Sequence, residues 1–129
     1  REQMVAEFHK AMEQDIDQPF DKGLLQLRMR LIKEEVEELE QAVTLAKYQQ
    51  QEYLNISPEV RENLLKELSD VMYVVSGFAV TFGLSIQPAF VRVHRSNMSK
   101  LVDGKPVKDS GGKVLKGENY KPPSMKGLV

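Results

Sequence analysis

A chain of 129 residues, 41% hydrophobic and 29% charged, has enough sequence for one domain core and too little for two. Eighteen Lys and Arg stand against 19 Asp and Glu, and the net charge of −1 argues neither for a nucleic-acid binder nor for a strongly acidic solvating tail. The absence of cysteine excludes disulfide frameworks, Cys-based zinc sites and thiol nucleophiles, and no apolar run approaches the roughly 20 residues of a membrane span. No charged-then-apolar signal pattern opens the sequence, so the cytoplasm is the expected location. The near-neutral total hides two parts. Residues 100–129 carry seven Lys and three acids (Asp103, Asp109, Glu118), net +4, which leaves residues 1–99 with 11 basic and 16 acidic groups, net −5. The expected organisation is a single domain over 1–129, with an acidic helical body (1–99) and a basic tail (100–129).

Residues 2–14 read as a short amphipathic helix, because Met4, Phe8, Ala11 and Met12 recur at three- and four-residue spacing. The stretch 15–23 carries Pro19 and Gly23 and reads as a loop. Its aspartates do not make an EF-hand, since Gln26 stands where the bidentate Glu is required. From Leu24 to about Gln50 no Gly or Pro interrupts a run of good helix formers. Ser57-Pro58-Glu59 is a helix start, with a capping Ser, a first-turn Pro and an acid near the positive helix end. That second long helix runs to about Phe82, where Gly83 is placed to end it, and Ser85 is expected to cap a fourth from Ile86 to about Ser99. The remainder, with Asp103-Gly104, Gly111-Gly112 and Pro122-Pro123, predicts turns, a short hairpin and an extended end. The fold class is all-α: two long and two shorter helices in a four-helix bundle-like arrangement with an irregular C-terminal tail.

Placing side chains at about 100° per residue shows acids where apolar groups belong. With Leu24 at zero, Leu27, Leu31, Ala42 and Leu45 fall within about 60° of it. Glu35 and Glu38 share that arc, at about 20° and about −40°; Glu34 is on its edge, while Glu37 and Glu40 face away. On the next helix Val60, Leu64, Val71, Val74 and Phe78 define an apolar line with Glu67 in its middle and Asp70 on its flank. If the two stripes face each other, four carboxylates converge. Burying unpaired carboxylates costs several kcal/mol each, and close like charges repel. Paired Lys or Arg, protonation, or divalent ions all offset that cost, and hard oxygen ligands suit magnesium or manganese. An acidic run is otherwise most often a solvated helix face. A ferritin-like di-metal bundle needs Glu-x-x-His, and neither His9 nor His94 has Glu three residues before it. A carboxylate-bound magnesium cluster is the kind of site used in phosphoryl chemistry.

Glu34-Glu35-Val36-Glu37-Glu38 fits an E-E-x-x-E motif and Glu67-Leu68-Ser69-Asp70 an E-x-x-D motif, with 28 residues between Glu38 and Glu67. In these features the chain, over about residues 4–101, resembles the MazG-like all-α nucleoside triphosphate pyrophosphohydrolases, and its tail resembles that of small stand-alone phage and bacterial members. The resemblance implies Glu35, Glu38, Glu67 and Asp70 as ligands for two or more Mg2+ ions, which Mn2+ can replace, and Glu34 as the general base for the attacking water. It implies hydrolysis of a nucleoside triphosphate between the α- and β-phosphates, yielding the monophosphate and pyrophosphate. A purine deoxynucleotide such as dGTP or dATP is the expected substrate. The alternatives are a dUTP- or dCTP-directed enzyme, another phosphate-ester hydrolase, or a non-catalytic helical interaction module. The location implied is the cytoplasm, that of the host if the chain is viral.

On the fourth helix Phe90 and Val93 are expected to share an inner face with Asn97 and Lys100. Asn97-x-x-Lys100 resembles the phosphate-contacting pair of dimeric dUTPases. Arg95 and Lys33 are further phosphate candidates, with Arg28 a weaker one. By the resemblance the base lies against the first helix and the loop after it, which makes Phe8 and Met12 pocket candidates. A homodimer or dimer of dimers is implied, with no nucleic-acid or membrane partner.

Overall fold

The computed structural model describes residues 1–129 and is all-α, with α1 (Glu2–Ala11), α2 (Lys22–Tyr53), α3 (Pro58–Phe82) and α4 (Ile86–Met98) and no strand. No single helix is long and apolar enough to cross a membrane. Contacts divide the chain into two compact units, Arg1–Gly83 and Leu84–Val129. The tail groups with α4 in the second unit.

In the first unit α2 and α3 form a helical hairpin joined by residues 54–57, and α1 packs on α3. α2 starts two residues earlier than Leu24, because an Asp21 carboxylate oxygen accepts the Leu24 N–H at 3.0 Å and satisfies an otherwise unpaired first-turn donor. The helix closes on Leu54 in the left-handed conformation. α3 begins as its sequence requires: the Ser57 hydroxyl accepts the Val60 N–H at 3.3 Å, Pro58 occupies the first turn, and Gly83 ends the helix at φ 63°. The loop after α1 docks on the end of α3, where Asp17 N–H donates to Val80 O at 3.0 Å and Gln18 N–H to Thr81 O at 2.7 Å. Phe20 stacks on Phe82 with ring centroids 4.9 Å apart.

The face of α1 differs from the expected one. Val5 and His9, one turn apart, are its buried residues, while Met4, Phe8 and Met12 are exposed. A ten-residue helix contacting one neighbour buries only a narrow stripe, and the side chain of Val5 is small enough to approach α3 closely. On α2, Ala42 and Ala46 are buried, as is Arg28, whereas Leu45 is 46% exposed. Small residues at the contact let the two long helices approach.

In the second unit Ser96 is the buried residue of α4. Its hydroxyl donates to Lys121 O at 2.7 Å, and Arg92 donates to Ser124 O and Lys126 O at 3.0 and 2.6 Å. These bonds tie the extended end to the Arg92–Ser96–Ser99 face, so the expected Phe90–Val93 inner face is exposed instead. Ser85 precedes α4 without a side-chain capping bond, its ψ of 72° differing from the extended value at Ser57. The tail makes a tight turn at Asp103-Gly104, with reciprocal Val102–Lys105 bonds of 2.8 and 3.0 Å, and an isolated bridge between Lys108 and Val114.

Candidate metal centre

The two interrupted apolar stripes meet. Glu35 and Glu38 on α2 and Glu67 and Asp70 on α3 each offer a carboxylate oxygen, all lying within 4.8 Å of one another. The i, i+3 spacing on each helix places a pair on one face, and the antiparallel hairpin brings the two pairs to the same level. Glu67 is buried, Glu35 and Asp70 are half-buried, and Glu38 is exposed, so the cluster opens to solvent at one side.

Its electrostatics are unfavourable without a cation. Burial pushes the Glu35 carboxyl above its ordinary value; a hydrogen bond with Glu38 and the charges of Glu38, Asp70 and Glu67 push it the same way. Lys66 supplies part of the compensation, its ammonium lying 3.0 Å from Asp70 Oδ2 and 3.2 Å from Glu67 Oε1. Those contacts raise the Lys66 pKa, the hydrogen bond to Asp70 being the larger cause and that to Glu67 the next. Lysine pairing does not complete the site. Glu35 Oε2 and Glu67 Oε2 are buried and accept no hydrogen bond. Two orphaned anionic oxygens in an all-carboxylate donor set fit a divalent hard cation such as Mg2+ or Mn2+.

The remaining expected residues are placed as follows. Glu34 is exposed, next to Glu35 in sequence, with Arg30 Nε 3.9 Å from its Oε1. Lys33 is exposed on α2 and makes no ion pair. Phe8 is exposed on α1 and meets Tyr73 of α3 edge-on at 5.6 Å, while Met12 lies at the C-cap of α1. Arg95 and Asn97 are exposed on α4, and Lys100 is half-buried just after it. In the second unit Arg95, Arg92 and Lys121 line a surface depression together with Ser96 and Ser99.

The sequence reading does not include Lys66, and it names Arg28 only as a weaker phosphate candidate, without its place in the apolar arc. Lys66 was readable as an i, i+4 partner of Asp70. Arg28 was readable from the projection that singled out Glu35, since it falls at about 40° from Leu24, inside the apolar arc. It is buried at 6% exposure, and its Nε has no partner.

Comparison with known proteins places this geometry in a family. No curated protein sequence matches the chain. The profile of the family described as phosphoribosyl-ATP pyrophosphohydrolase matches residues 5–97, a span that contains all four clustered carboxylates and most of α1 to α4. The chain belongs to the phosphoribosyl-ATP pyrophosphohydrolase family, an all-α family of pyrophosphohydrolases.

Proposed function

We propose that the chain is a magnesium-dependent nucleoside triphosphate pyrophosphohydrolase of the MazG-like kind, cleaving its substrate between the α- and β-phosphates. The observation that carries this reading is the convergence of four carboxylates from α2 and α3, with Glu35 Oε2 and Glu67 Oε2 buried and unpaired. Glu35, Glu38, Glu67 and Asp70 would hold the metal; when bound, divalent ions supply positive charge for phosphate oxygens and lower the pKa of water. Glu34 takes the proton of the attacking water as general base, a role its exposed carboxylate beside the cluster suits. Lys66 keeps the metal-free carboxylates from repelling one another and yields Asp70 and Glu67 when a cation arrives.

Lys33, Arg95, Asn97 and Lys100 are proposed to contact phosphates, the last two on sequence resemblance alone. Phe8 and Met12, exposed on α1, are proposed to face the base. The proposed assembly is a homodimer or a dimer of dimers, and Leu65, Leu68 and Met72 on α3 offer it an exposed apolar strip. The family match favours a second reading, in which the substrate is phosphoribosyl-ATP. A panel of ribo- and deoxynucleoside triphosphates with phosphoribosyl-ATP, incubated with MgCl2 and assayed for pyrophosphate, tests both. Pyrophosphate release from a nucleoside triphosphate supports the first reading. Release from phosphoribosyl-ATP alone supports the second, and single-phosphate release overturns both.

A further inference from the structure

The second unit holds a charged feature opposite in sign to the carboxylate cluster. On α4, Arg95, Ser96 and Ser99 follow Arg92 by three, four and seven residues, which puts all four on one face of the helix. The extended end of the chain lies along that face. The buried Ser96 hydroxyl donates to Lys121 O at 2.7 Å and the Ser99 hydroxyl accepts the Lys121 N–H at 2.9 Å, so the backbone of Lys121 is clamped on both sides. Pro122 and Pro123 fix φ at the next two residues, and Arg92 Nη1 donates to Ser124 O and Lys126 O at 3.0 and 2.6 Å. Helix and strap together wall a depression of about 380 Å3 whose shape is set before any ligand arrives.

Three cations line this depression and no acid does. Arg95 and Lys121 are exposed and their side chains make neither a salt bridge nor a hydrogen bond, and Arg92 has no carboxylate partner. The two carbonyls occupy Arg92 Nη1 alone, which leaves its Nε–H and Nη2–H, the parallel pair that meets two oxygens of an anion. The Ser124 hydroxyl accepts the Lys126 N–H at 3.3 Å and keeps its own hydrogen to donate. Arg95 O, Ser96 O, Asn97 O and Met98 O each accept a following backbone N–H, so the carbonyls that make a helix C-terminus unfavourable for anions are already satisfied.

The group that completes the depression must be anionic and rich in acceptors. Two guanidinium edges and an ammonium reach more oxygens than one phosphate or carboxylate presents to one side, whereas a diphosphate spreads its acceptors over two linked groups. We propose that the depression between α4 and the tail is a metal-independent diphosphate site, with Arg92, Arg95 and Lys121 as its ligating side chains. Its ligand is free pyrophosphate or the terminal diphosphate of a nucleotide, two sources of one chemistry. The inference uses no step of the nucleotide reading above, although pyrophosphate is what that reaction would release.

Calorimetric titration of the full chain, freed of divalent ions and at low salt, with pyrophosphate, ADP, orthophosphate and citrate tests this. Without a metal the carboxylate cluster repels all four ligands, so binding is read at the cationic site. Pyrophosphate should bind one per chain and about ten-fold or more tighter than orthophosphate or citrate. ADP binding as tightly as pyrophosphate identifies a nucleotide's terminal diphosphate as the ligand, and ADP weaker by about ten-fold identifies the free anion. Arg95→Ala and Lys121→Ala should each weaken pyrophosphate by about ten-fold, the loss of one charge-assisted contact. Lys113→Ala removes the same charge elsewhere on the tail and should leave the affinity within about two-fold. Both ligating side chains are exposed and unbonded, so their truncation leaves the fold intact. No pyrophosphate binding, citrate as tight as pyrophosphate, or an equal loss in Lys113→Ala and Arg95→Ala would overturn the assignment. Nucleotide hydrolysis without metal-free pyrophosphate binding would sink this inference alone. Pyrophosphate binding by a chain that hydrolyses no nucleotide would sink the pyrophosphohydrolase reading alone.

Discussion

Lys66 holds Asp70 from one turn away, its ammonium 3.0 Å from Asp70 Oδ2 while also reaching Glu67 Oε1. The lysine head thus occupies two of the oxygens a divalent ion would use, and its raised pKa keeps it charged at neutral pH. A divalent ion held by the same oxygens would have to displace it. Replacing Lys66 by Met should tighten Mg2+ binding by about two- to five-fold, the modest gain expected from removing an exposed competitor. Calorimetric titration of Mg2+ without nucleotide checks this, and weaker binding would show Lys66 to be a supporting element instead.

Metal ligation and base catalysis separate by position. Glu38→Gln and Glu67→Gln should each abolish both Mg2+ binding and pyrophosphate release, whereas Glu34→Gln should lower kcat by about 10²- to 10⁴-fold with Mg2+ affinity retained. Parallel measurement of metal binding and initial rates distinguishes the roles. A Glu34→Gln variant with full activity would remove Glu34 from the mechanism.

The raised pKa of Glu35 has a definite consequence for the metal-free chain. Its folded carboxyl binds a proton more tightly than in the unfolded chain, so the associated stability is present below the ordinary value of 4.5 and is lost as pH rises through the raised folded value. Urea unfolding midpoints in chelator should therefore fall from pH 4.5 to 7 for the wild type relative to Glu35→Gln. Adding MgCl2 at pH 7 should raise the wild-type midpoint and leave that of the variant nearly unchanged. Parallel wild-type and variant curves in chelator would contradict the burial and crowding of Glu35.

The helix ends make their own prediction. Ser57→Ala removes the cap of α3 and should cost about 1 kcal/mol in unfolding free energy. Gly83→Ala places a Cβ at φ 63° and 3.0 Å from Asp17 Oδ1, and should cost about 1 kcal/mol or more. Chemical denaturation followed by helical circular dichroism measures both.

One close approach adds to the hydrogen bonds that hold the tail on α4. A Cβ on Gly117 would lie 2.6 Å from Val102 Cγ2 and 2.9 Å from Lys100 O, a backbone atom that cannot swing aside. Gly117→Ala should release the residues after 117 and speed proteolysis at the tail lysines several-fold, leaving the helix content of α1 to α3 intact. Tryptic digestion followed by mass spectrometry reads this directly.

Local and periodic information determined much of this protein before any coordinates. Ser57-Pro58 and Gly83 set the ends of α3 through capping and backbone freedom, which depend only on neighbours in the chain. Glu35, Glu38 and Glu67 announced themselves by violating an apolar period, and their convergence follows once two such helices form a hairpin. Other features were decided between elements. The choice of Val5 and His9 over Met4, Phe8 and Met12 as the buried face of α1 came from how closely that short helix packs on α3, since three- and four-residue spacing is shared by both stripes. The attachment of the tail to α4 came from hydrogen bonds between residues some 20 to 35 apart, such as Ser96 with Lys121, to which no period or propensity refers. The sequence by itself specified that Glu35, Glu38 and Glu67 were chemically out of place. Only the tertiary structure decided what they met there, a cluster of like charges with two unpaired oxygens at Glu35 and Glu67, and that Arg28 is buried beside Gly77 and His9, because the cost of a buried charge depends on its neighbours in space.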